Sequence, residues 1–263
     1  MGRYARLFTL LCKLSLMRQM AYRPHFFLMV FGKVIRMVLL LLFFQAVFLK
    51  VDRLGQWTFD QVLLLFATFH LVDYIMSITF QRNLSYGLPA LIQSGNLDSR
   101  IILPIHPLFM ASLENIDMMD FISFIPCLGL LIYALHRLGF AFTWLQAVMY
   151  GLLIANALVF LFAVVLIIAT ISFWTTRSAG LARVFDDLTR VGRYPLDIFE
   201  GFWKFFFIYV LPLALISQMP SQALLGALSS GFLFYALACS VLLAVIAVRF
   251  WRTGLKNYSS TSS

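Results

Sequence analysis

The stretch "LGFAFTWLQAVMYGLLIANALVFLFAVVLIIATISFWTT", residues 138–176, contains no Asp, Glu, Lys, Arg or His. A helix of about 20 residues crosses the hydrocarbon of a bilayer, so this run is long enough for a crossing helix and its flanks. A second uncharged run covers residues 205–248, about twice the length that one crossing needs. It must therefore fold back on itself, at residues that are poor helix formers: Pro212, Pro220, Gly226 and Gly231.

The composition of the whole chain also indicates a membrane protein. Hydrophobic residues make up 62% of the 263 residues and charged residues 12%, whereas a soluble domain carries about 25% charged residues. The mean hydropathy is +0.91. These values exclude an ordinary soluble domain and favour an all-α fold built from transmembrane helices.

Hydrophobic length predicts six spans within a transmembrane domain at residues 26–250. The fifth of these spans is short, and the apolar sequence that follows it predicts a re-entrant or interfacial element before the last span. The predicted spans are roughly 26–49, 61–80, 108–135, 144–172, 203–217 and 230–249.

Most of the 20 Lys and Arg residues fall on one side of these six spans. They lie in the N-terminal segment, the loops 81–107 and 173–202, and the tail 251–263. By the positive-inside rule, these segments and both termini are cytosolic. The formal net charge of +9 is therefore interpreted as a topology signal, in preference to nucleic-acid binding.

The first 25 residues are predicted to form an amphipathic helix that lies in the membrane interface. Apolar residues recur at helical spacing, and basic residues occupy much of the opposite face. Such a helix contacts lipid with its apolar side and places its arginines among the phosphates. The plainer alternative is a positively charged flanking tail. The apolar positions are Leu7, Leu11, Leu14 and Met17.

Ionisable residues inside the predicted spans are candidates for function. His70 and Asp73 share one helical face, so they can form a proton relay, half of a metal site or a structural pair. An acidic stripe at the start of the third span lies at a depth similar to two basic residues of the first span. The two sets can pair, or the stripe can form a vestibule for cationic substrates. The stripe is Glu114, Asp117 and Asp120, and the basic residues are Lys33 and Arg36.

Motifs for catalysis or cofactor binding do not occur in the sequence. Cys12, Cys127 and Cys239 are scattered, without the spacing of metal ligands. Neither an H-E-x-x-H helix nor a P-loop is present, so we expect no catalytic residue, bound cofactor or metal in this chain. The composition by itself leaves an ATP-independent channel, a membrane scaffold and a membrane-embedded enzyme open.

The loop "QRNLSYGLPALIQSGNLDSRIILPIHP", residues 81–107, predicts a short helix, a Gly-Asn turn and a second short element. Four motifs in the chain resemble permease subunits of type-2 ABC exporters, in the subgroup with paired permeases and a separate ATPase. In chain order they are "QSGNLDSRIILPIHPLF" (93–109), "YPLDIF" (194–199), "YVLPLALISQMP" (209–220) and "ALLG" (223–226).

The resemblance implies a subunit of an exporter in the cytoplasmic (inner) membrane of a bacterium. A second permease, either a related subunit or another copy, would pair with it, and two ABC ATPase subunits would bind ATP and Mg. Gly95, Leu97 and Asp98 are implied in coupling to the ATPase. Tyr194 and Pro195 are implied as the start of the fifth span, with Asp197 complementing the dipole of its helix. The substrate is left open.

Overall fold

The computed structural model describes residues 2–20, 23–139, 142–175 and 178–258. Within these ranges the chain forms helices, and its strand-like pairing is limited to an isolated bridge between Leu54 and Trp57. Five helices in the described ranges are long and apolar enough to cross a membrane. The fold is all-α and of the polytopic membrane type, as the hydrophobic runs predict.

The helices range from short turns to long crossing helices. The five long helices are α2, α3, α6, α7 and α11 in the numbering that follows. In chain order the helices are α1 (Gly2–Met20), α2 (Arg23–Phe48), α3 (Phe59–Gln93), α4 (Asp98–Ile101), α5 (Pro107–Leu113), α6 (Met118–Leu138), α7 (Trp144–Phe173), α8 (Ser178–Thr189), α9 (Gly201–Val210), α10 (Gln218–Leu224) and α11 (Ser230–Asn257).

The bundle has two ends, which we name after tryptophans. The Trp57 end contains the starts of α3, α7 and α11, and there Arg137 Nε lies 3.0 Å from Asp60 Oδ1. The Trp174 end contains the last turns of α3, α7 and α11, and there the rings of Phe173 and Trp251 are 5.6 Å apart. Every crossing helix connects these two ends.

The parallel helices α7 and α11 pack closely, and one glycine permits the contact. A Cβ built on Gly254 would lie 2.6 Å from Phe173 Cδ2 and 3.0 Å from Thr170 Cγ2. Nothing lies within 4 Å of a Cβ built on Gly231, which is in the same helix. The space beside α11 is therefore filled by α7 at Gly254 and open at Gly231.

We expect Gly254→Ala to destabilise the protein by about 1–3 kcal/mol, the typical cost of overpacking a filled interior. Gly231→Ala is the matched control, and it should be neutral or stabilising because alanine is the better helix former. The measurement is the thermal unfolding midpoint of both variants in detergent micelles. Equal midpoints for the two variants would contradict this packing of α7 against α11.

Helix α1 attaches to the bundle through polar side chains. Ser15 Oγ accepts from Ile116 N at 3.1 Å, and Gln19 Nε2 donates to Ile116 O at 2.8 Å. Most of its apolar residues remain exposed, among them Leu10 and Met17. An amphipathic helix is thus present over Gly2–Met20, while residue 1 and residues 21–22 of the predicted segment 1–25 lie outside the described residues.

The third predicted span, 108–135, is interrupted. Helix α5 ends at Leu113 and α6 begins at Met118. Asp117 caps α6, because its carboxylate accepts from Met119 N at 3.0 Å and from Asp120 N at 3.3 Å. A carboxylate in this position satisfies the free N–H groups of a new helix and so sets its start. The prediction of one continuous helix is therefore wrong at residues 114–117.

The second span is longer than the predicted 61–80, since α3 continues to Gln93. It contains two π-helical segments, Ser77–Gln81 and Asn83–Gly87. Pro89 directly follows the second segment, where Leu88 N donates to Asn83 O in an i→i−5 bond, so the chain accommodates proline where the regular i→i−4 pattern is already interrupted. The first part of the predicted loop 81–107 is therefore helical, and the turn at Gly95 and the short helix α4 follow it.

The fifth predicted span, 203–217, is not one helix. Helix α9 ends at Val210, and Leu211 takes φ −114° and ψ 82°. Pro212 follows, and a proline disfavours helical geometry in the residue before it. The chain then makes a 3₁₀ turn at Leu213–Leu215 and enters α10. The predicted position of the fifth span is corrected by this break.

Residues 201–226 form a hairpin whose two ends both lie at the Trp57 end. On the way in, Lys204 Nζ is 3.2 Å from Asp197 Oδ1. On the way out, a Cβ built on Gly226 would meet Gln146 Nε2 at 2.9 Å, beside the start of α7. Between them, Ser217 Oγ donates to the Gly192 carbonyl deep in the bundle. This is the re-entrant element before the last helix.

Helix α11 extends past the predicted start of the tail at residue 251. It continues to Asn257, and Trp251 is buried against the bundle. Residues 259–263 of the predicted tail 251–263 lie outside the described residues. The tail is therefore helical and packed over its first turns.

Candidate functional site

A cavity of about 200 Å³ lies inside the bundle and is lined mainly by polar side chains. Helices α2, α3 and α6 and the end of α8 contribute to its walls. His70 and Ser77 are among the lining residues. Four cations line it together with three carboxylates: Lys33, Arg36, Arg190 and Arg193 with Asp73, Asp120 and Asp186.

One ion pair closes a side of the cavity. Lys33 Nζ on α2 contacts Asp120 Oδ1 on α6, and Ser77 Oγ on α3 donates to the second oxygen of Asp120. Asp120 is buried, and the pair joins three helices at one point. The sequence predicts this pairing from the similar depth of the two residues in their helices.

The other two acidic residues of the predicted stripe pair elsewhere. Asp117 Oδ2 lies 3.1 Å from Arg82 Nη1 and also caps α6. Glu114 accepts two bonds from Arg100, at 3.0 and 2.6 Å. Because the helix is interrupted between Leu113 and Met118, these carboxylates do not share one helical face. The predicted acidic stripe is not formed, and a common vestibule loses its geometric basis.

His70 is buried without a hydrogen-bond partner. Its side chain is 3% exposed, and neither ring nitrogen has a partner within the described ranges. The ring packs edge-on against Phe66, with centroids 4.4 Å apart, and stacks on Tyr74 at 5.7 Å. A structural pair with Asp73 is therefore not made. No group of three or more His, Cys, Asp or Glu residues in the described ranges is arranged to hold a metal.

Asp73, Arg36 and Arg193 face the same cavity without closing into ion pairs. None of the ion pairs within 4 Å in the described part of the chain involves them. Arg193 lies over the ring of Phe69, 5.6 Å from its centroid, and donates to Arg190 O at 2.9 Å. Arg36 is exposed at the middle of α2.

The cations at residues 190 and 193 come from a segment that the sequence analysis places in a loop. Residues 178–198 run antiparallel along α3: Gln81 Nε2 donates to Asp186 at 2.8 Å, and Trp57 Nε1 donates to Asp197 at 3.0 Å. At 1.5 Å per residue, the α3 axis covers about 33 Å between Phe59 and Gln81. The segment therefore extends from one end of the bundle toward the other and is not a surface loop.

The Tyr194-Pro195 pair does not open a long helix. Pro195 precedes the 3₁₀ turn Leu196–Ile198, and the next α-helix begins at Gly201. Tyr194 packs on Phe44 with ring centroids 5.7 Å apart, toward the Trp57 end. Asp197 pairs with Lys204 and accepts from Trp57. These contacts correct the prediction that Tyr194 and Pro195 start the fifth span.

The segment around Gly95 lies at the Trp174 end. Gly95 has φ +70°, a conformation that L side chains rarely adopt, so the turn requires glycine. Leu97 is 1% exposed and belongs to the main hydrophobic core. It therefore supports the turn from inside and cannot be the apolar contact of an exposed docking surface.

Asp98 begins α4 beside the end of α11. Burial and the nearby Asp98 carboxylate raise the pKa of Tyr258. The two bonds from Arg100 to Glu114 hold α4 against the end of α5. The last residue of α4 and the two residues after it form an exposed apolar tip, in which Ile102 is 82% exposed. This tip, which the sequence analysis did not single out, is Ile101, Ile102 and Leu103.

A model of the family described as ABC-2 family transporter protein matches residues 34–262. The match includes most of α2, every later crossing helix, the polar cavity apart from Lys33, and the exposed tip. A search of curated proteins returns no match to the chain. The all-α bundle, the re-entrant hairpin before the last helix and the extent of this match agree, and the chain belongs to the ABC-2 transporter family.

Proposed function

We propose that the chain is the permease subunit of an ATP-driven exporter in the cytoplasmic membrane of a bacterium. It pairs with a second permease, a related subunit or another copy, and the substrate leaves the cytoplasm along the path between them. Two separate ATPase subunits bind ATP and Mg and supply the energy. Membership of the ABC-2 family and the lack of a P-loop in the sequence support this division of work.

The observation that carries the proposal is the exposed apolar tip Ile101–Leu103. It stands on a short helix that Arg100 and Glu114 clamp, so a push on the tip is transmitted to the start of α6. An isoleucine at 82% exposure gains from burial in a partner. We assign the ATPase contact to this tip, with Gly95 and Asp98 shaping its base.

Both termini are cytosolic in this proposal. The basic residues near the Trp174 end support that sidedness, since Arg82, Arg100 and Arg252 all lie there. Helix α1 then lies in the cytosolic interface, where its exposed apolar residues contact lipid. The hairpin 201–226 enters from the outer face.

Ile102→Asp tests the docking role. We expect this change to weaken ATPase attachment at least about thirtyfold, as the loss of a central apolar contact of about 2 kcal/mol or more implies. Because the side chain of Ile102 is mostly exposed and packs little against the rest of the chain, the fold should stay intact. The measurement is co-purification of the ATPase with the permease, together with ATP-dependent transport in vesicles.

Leu49→Asp is the matched control, since Leu49 is 79% exposed and lies at the Trp57 end. It should leave ATPase attachment unchanged. Wild-type attachment and transport in Ile102→Asp would remove the tip from the coupling contact. If no ATPase co-purifies with the wild-type chain and the chain alone conducts a solute, the channel alternative replaces the exporter.

A further inference from the structure

We propose that the polar cavity binds the head group of a zwitterionic amphiphile. Its oxyanion would contact Arg36, Arg193 and His70, and its ammonium group would contact Asp73. This names a substrate class for the exporter and rests on the proposed function only for the transport step. Binding itself is a property of this chain.

The first support is the arrangement of unpaired opposite charges. Lys33 is neutralised by Asp120 and Arg190 by Asp187, while Asp186 makes no ion pair within 4 Å in the described residues and accepts a hydrogen bond from the neutral amide of Gln81. Arg36, Arg193 and Asp73 are left facing one cavity without an ion pair within 4 Å in the described part of the chain. A zwitterionic guest can place its negative group at Arg36 and Arg193 and its positive group at Asp73. A simple anion would instead be repelled by the carboxylate of Asp73.

The second support is His70. Buried polar groups in proteins almost always have a hydrogen-bond partner, so an exception calls for an explanation. Both ring nitrogens of His70 are buried and unpartnered in the described ranges, and the residue lines the cavity. A neutral imidazole has one N–H donor, which is suited to an oxyanion beside the arginines.

The third support is the position of Arg36 at the cavity mouth. It is exposed halfway along α2, and at this depth of a membrane helix a charged side chain is costly without a counter-charge. Ile35 and Leu39 beside it are exposed and apolar. The head group therefore enters beside Arg36 while the acyl chains lie along α2. This geometry favours an amphiphile over a free phosphate.

The volume agrees with this guest. A cavity of about 200 Å³ is large enough for a phosphate with a short ammonium arm. Its polar lining would hold several ordered waters before binding, each of which occupies about 30 Å³ in the liquid. Release of these waters accompanies entry of the head group.

The test is native mass spectrometry of the purified chain in maltoside micelles. Phosphatidylethanolamine, phosphatidylglycerol and inorganic phosphate are titrated separately. We expect phosphatidylethanolamine to bind at least about tenfold tighter than phosphatidylglycerol. Arg36→Gln and Arg193→Gln should each weaken it about tenfold or more, the effect of one charge-assisted hydrogen bond. Asp73→Asn should invert the preference toward phosphatidylglycerol.

Arg252→Gln is the control, because it removes one exposed positive charge at the Trp174 end and should leave binding unchanged. Equal binding of the two lipids to the wild-type chain would overturn the ammonium contact. If inorganic phosphate competes as strongly as lipid, the site does not select an amphiphile. If no lipid binds saturably, the cavity holds only water and the proposal is wrong. If lipid binds as expected but no ATPase co-purifies, the site stands and the exporter proposal fails.

Discussion

A cysteine in place of Glu200 is expected to react with a membrane-impermeant maleimide added outside intact cells. Glu200 is exposed and follows Asp197, which accepts from Trp57 at the Trp57 end. If residues 178–198 cross the membrane beside α3, Glu200 emerges on the outer face. The sequence-based topology, in which 173–202 is a cytosolic loop, predicts full protection of the same cysteine instead.

The experiment needs a background without Cys12, Cys127 and Cys239, since two of these are partly exposed. Ser99→Cys marks the cytosolic side, and Gln56→Cys marks the outside. Gln56 is preferable to Gly55, where a Cβ would lie 3.0 Å from Asp197 Cβ.

Gly180→Cys marks the start of the crossing segment and should be protected, because it lies at the Trp174 end. We choose it because the neighbouring Ser178 is buried. Labelling of Gly180→Cys and Glu200→Cys from the same side would show that the segment does not cross. The crossing would then have to be assigned to another part of the chain.

This segment marks the limit of what hydropathy can predict. Long uncharged runs identify α7 and α11 because lipid-facing helices must be apolar over their whole length. Residues 178–198 contain Asp186, Asp187, Arg190 and Arg193, so no hydropathy window selects them. Asp186, Arg190 and Arg193 line the polar cavity, and the exposed Asp187 forms an ion pair with Arg190. Charges at membrane depth are tolerable when they line a cavity or are paired, and a cavity is a tertiary feature.

In the candidate site, too, features set by the local sequence could be predicted, and features set by tertiary contacts could not. The turn at Gly95 could be predicted because a positive φ is a local requirement that favours glycine. The role of Leu97 could not, since its burial depends on helices distant in sequence. Lys33 and Asp120 could be paired from their depth in two helices. The separate ion pairs of Asp117 with Arg82 and of Glu114 with Arg100 could not be predicted, because they follow from the helix break at the Asp117 cap.

Asn83→Asp is expected to destabilise the protein by about 3–5 kcal/mol, because a buried carboxylate would replace an amide whose two N–H groups are both used in hydrogen bonds. Asn83 is 3% exposed. Its Nδ2 lies within hydrogen-bond distance of three carbonyls, which share its two N–H groups, and its Oδ1 accepts from Asn115 N at 3.0 Å. The three carbonyls are Thr79 O at 3.0 Å, Ser112 O at 2.9 Å and Asn115 O at 2.8 Å.

The substitution is nearly isosteric, so the loss measures hydrogen bonding and charge and not volume. A carboxylate in this place directs an oxygen at the three carbonyls that the amide had satisfied. Asn96→Asp is the matched control: Asn96 is exposed and donates to Ser94 Oγ at 3.0 Å, so its change should stay within about 0.5 kcal/mol. The measurement is the thermal unfolding midpoint of both variants in micelles.

The hydrogen bonds of Asn83 also connect it to the exposed tip. Asn83 fixes residues 112–115, these include Glu114, and Glu114 holds Arg100 at the base of the exposed tip. Loosening Asn83 should therefore weaken ATPase attachment at temperatures where the bundle is still folded. Asn83→Asp with wild-type stability would show that the amide network is not closed as described. Lowered stability with undiminished ATPase attachment would show that the hydrogen bonds of Asn83 do not support the tip.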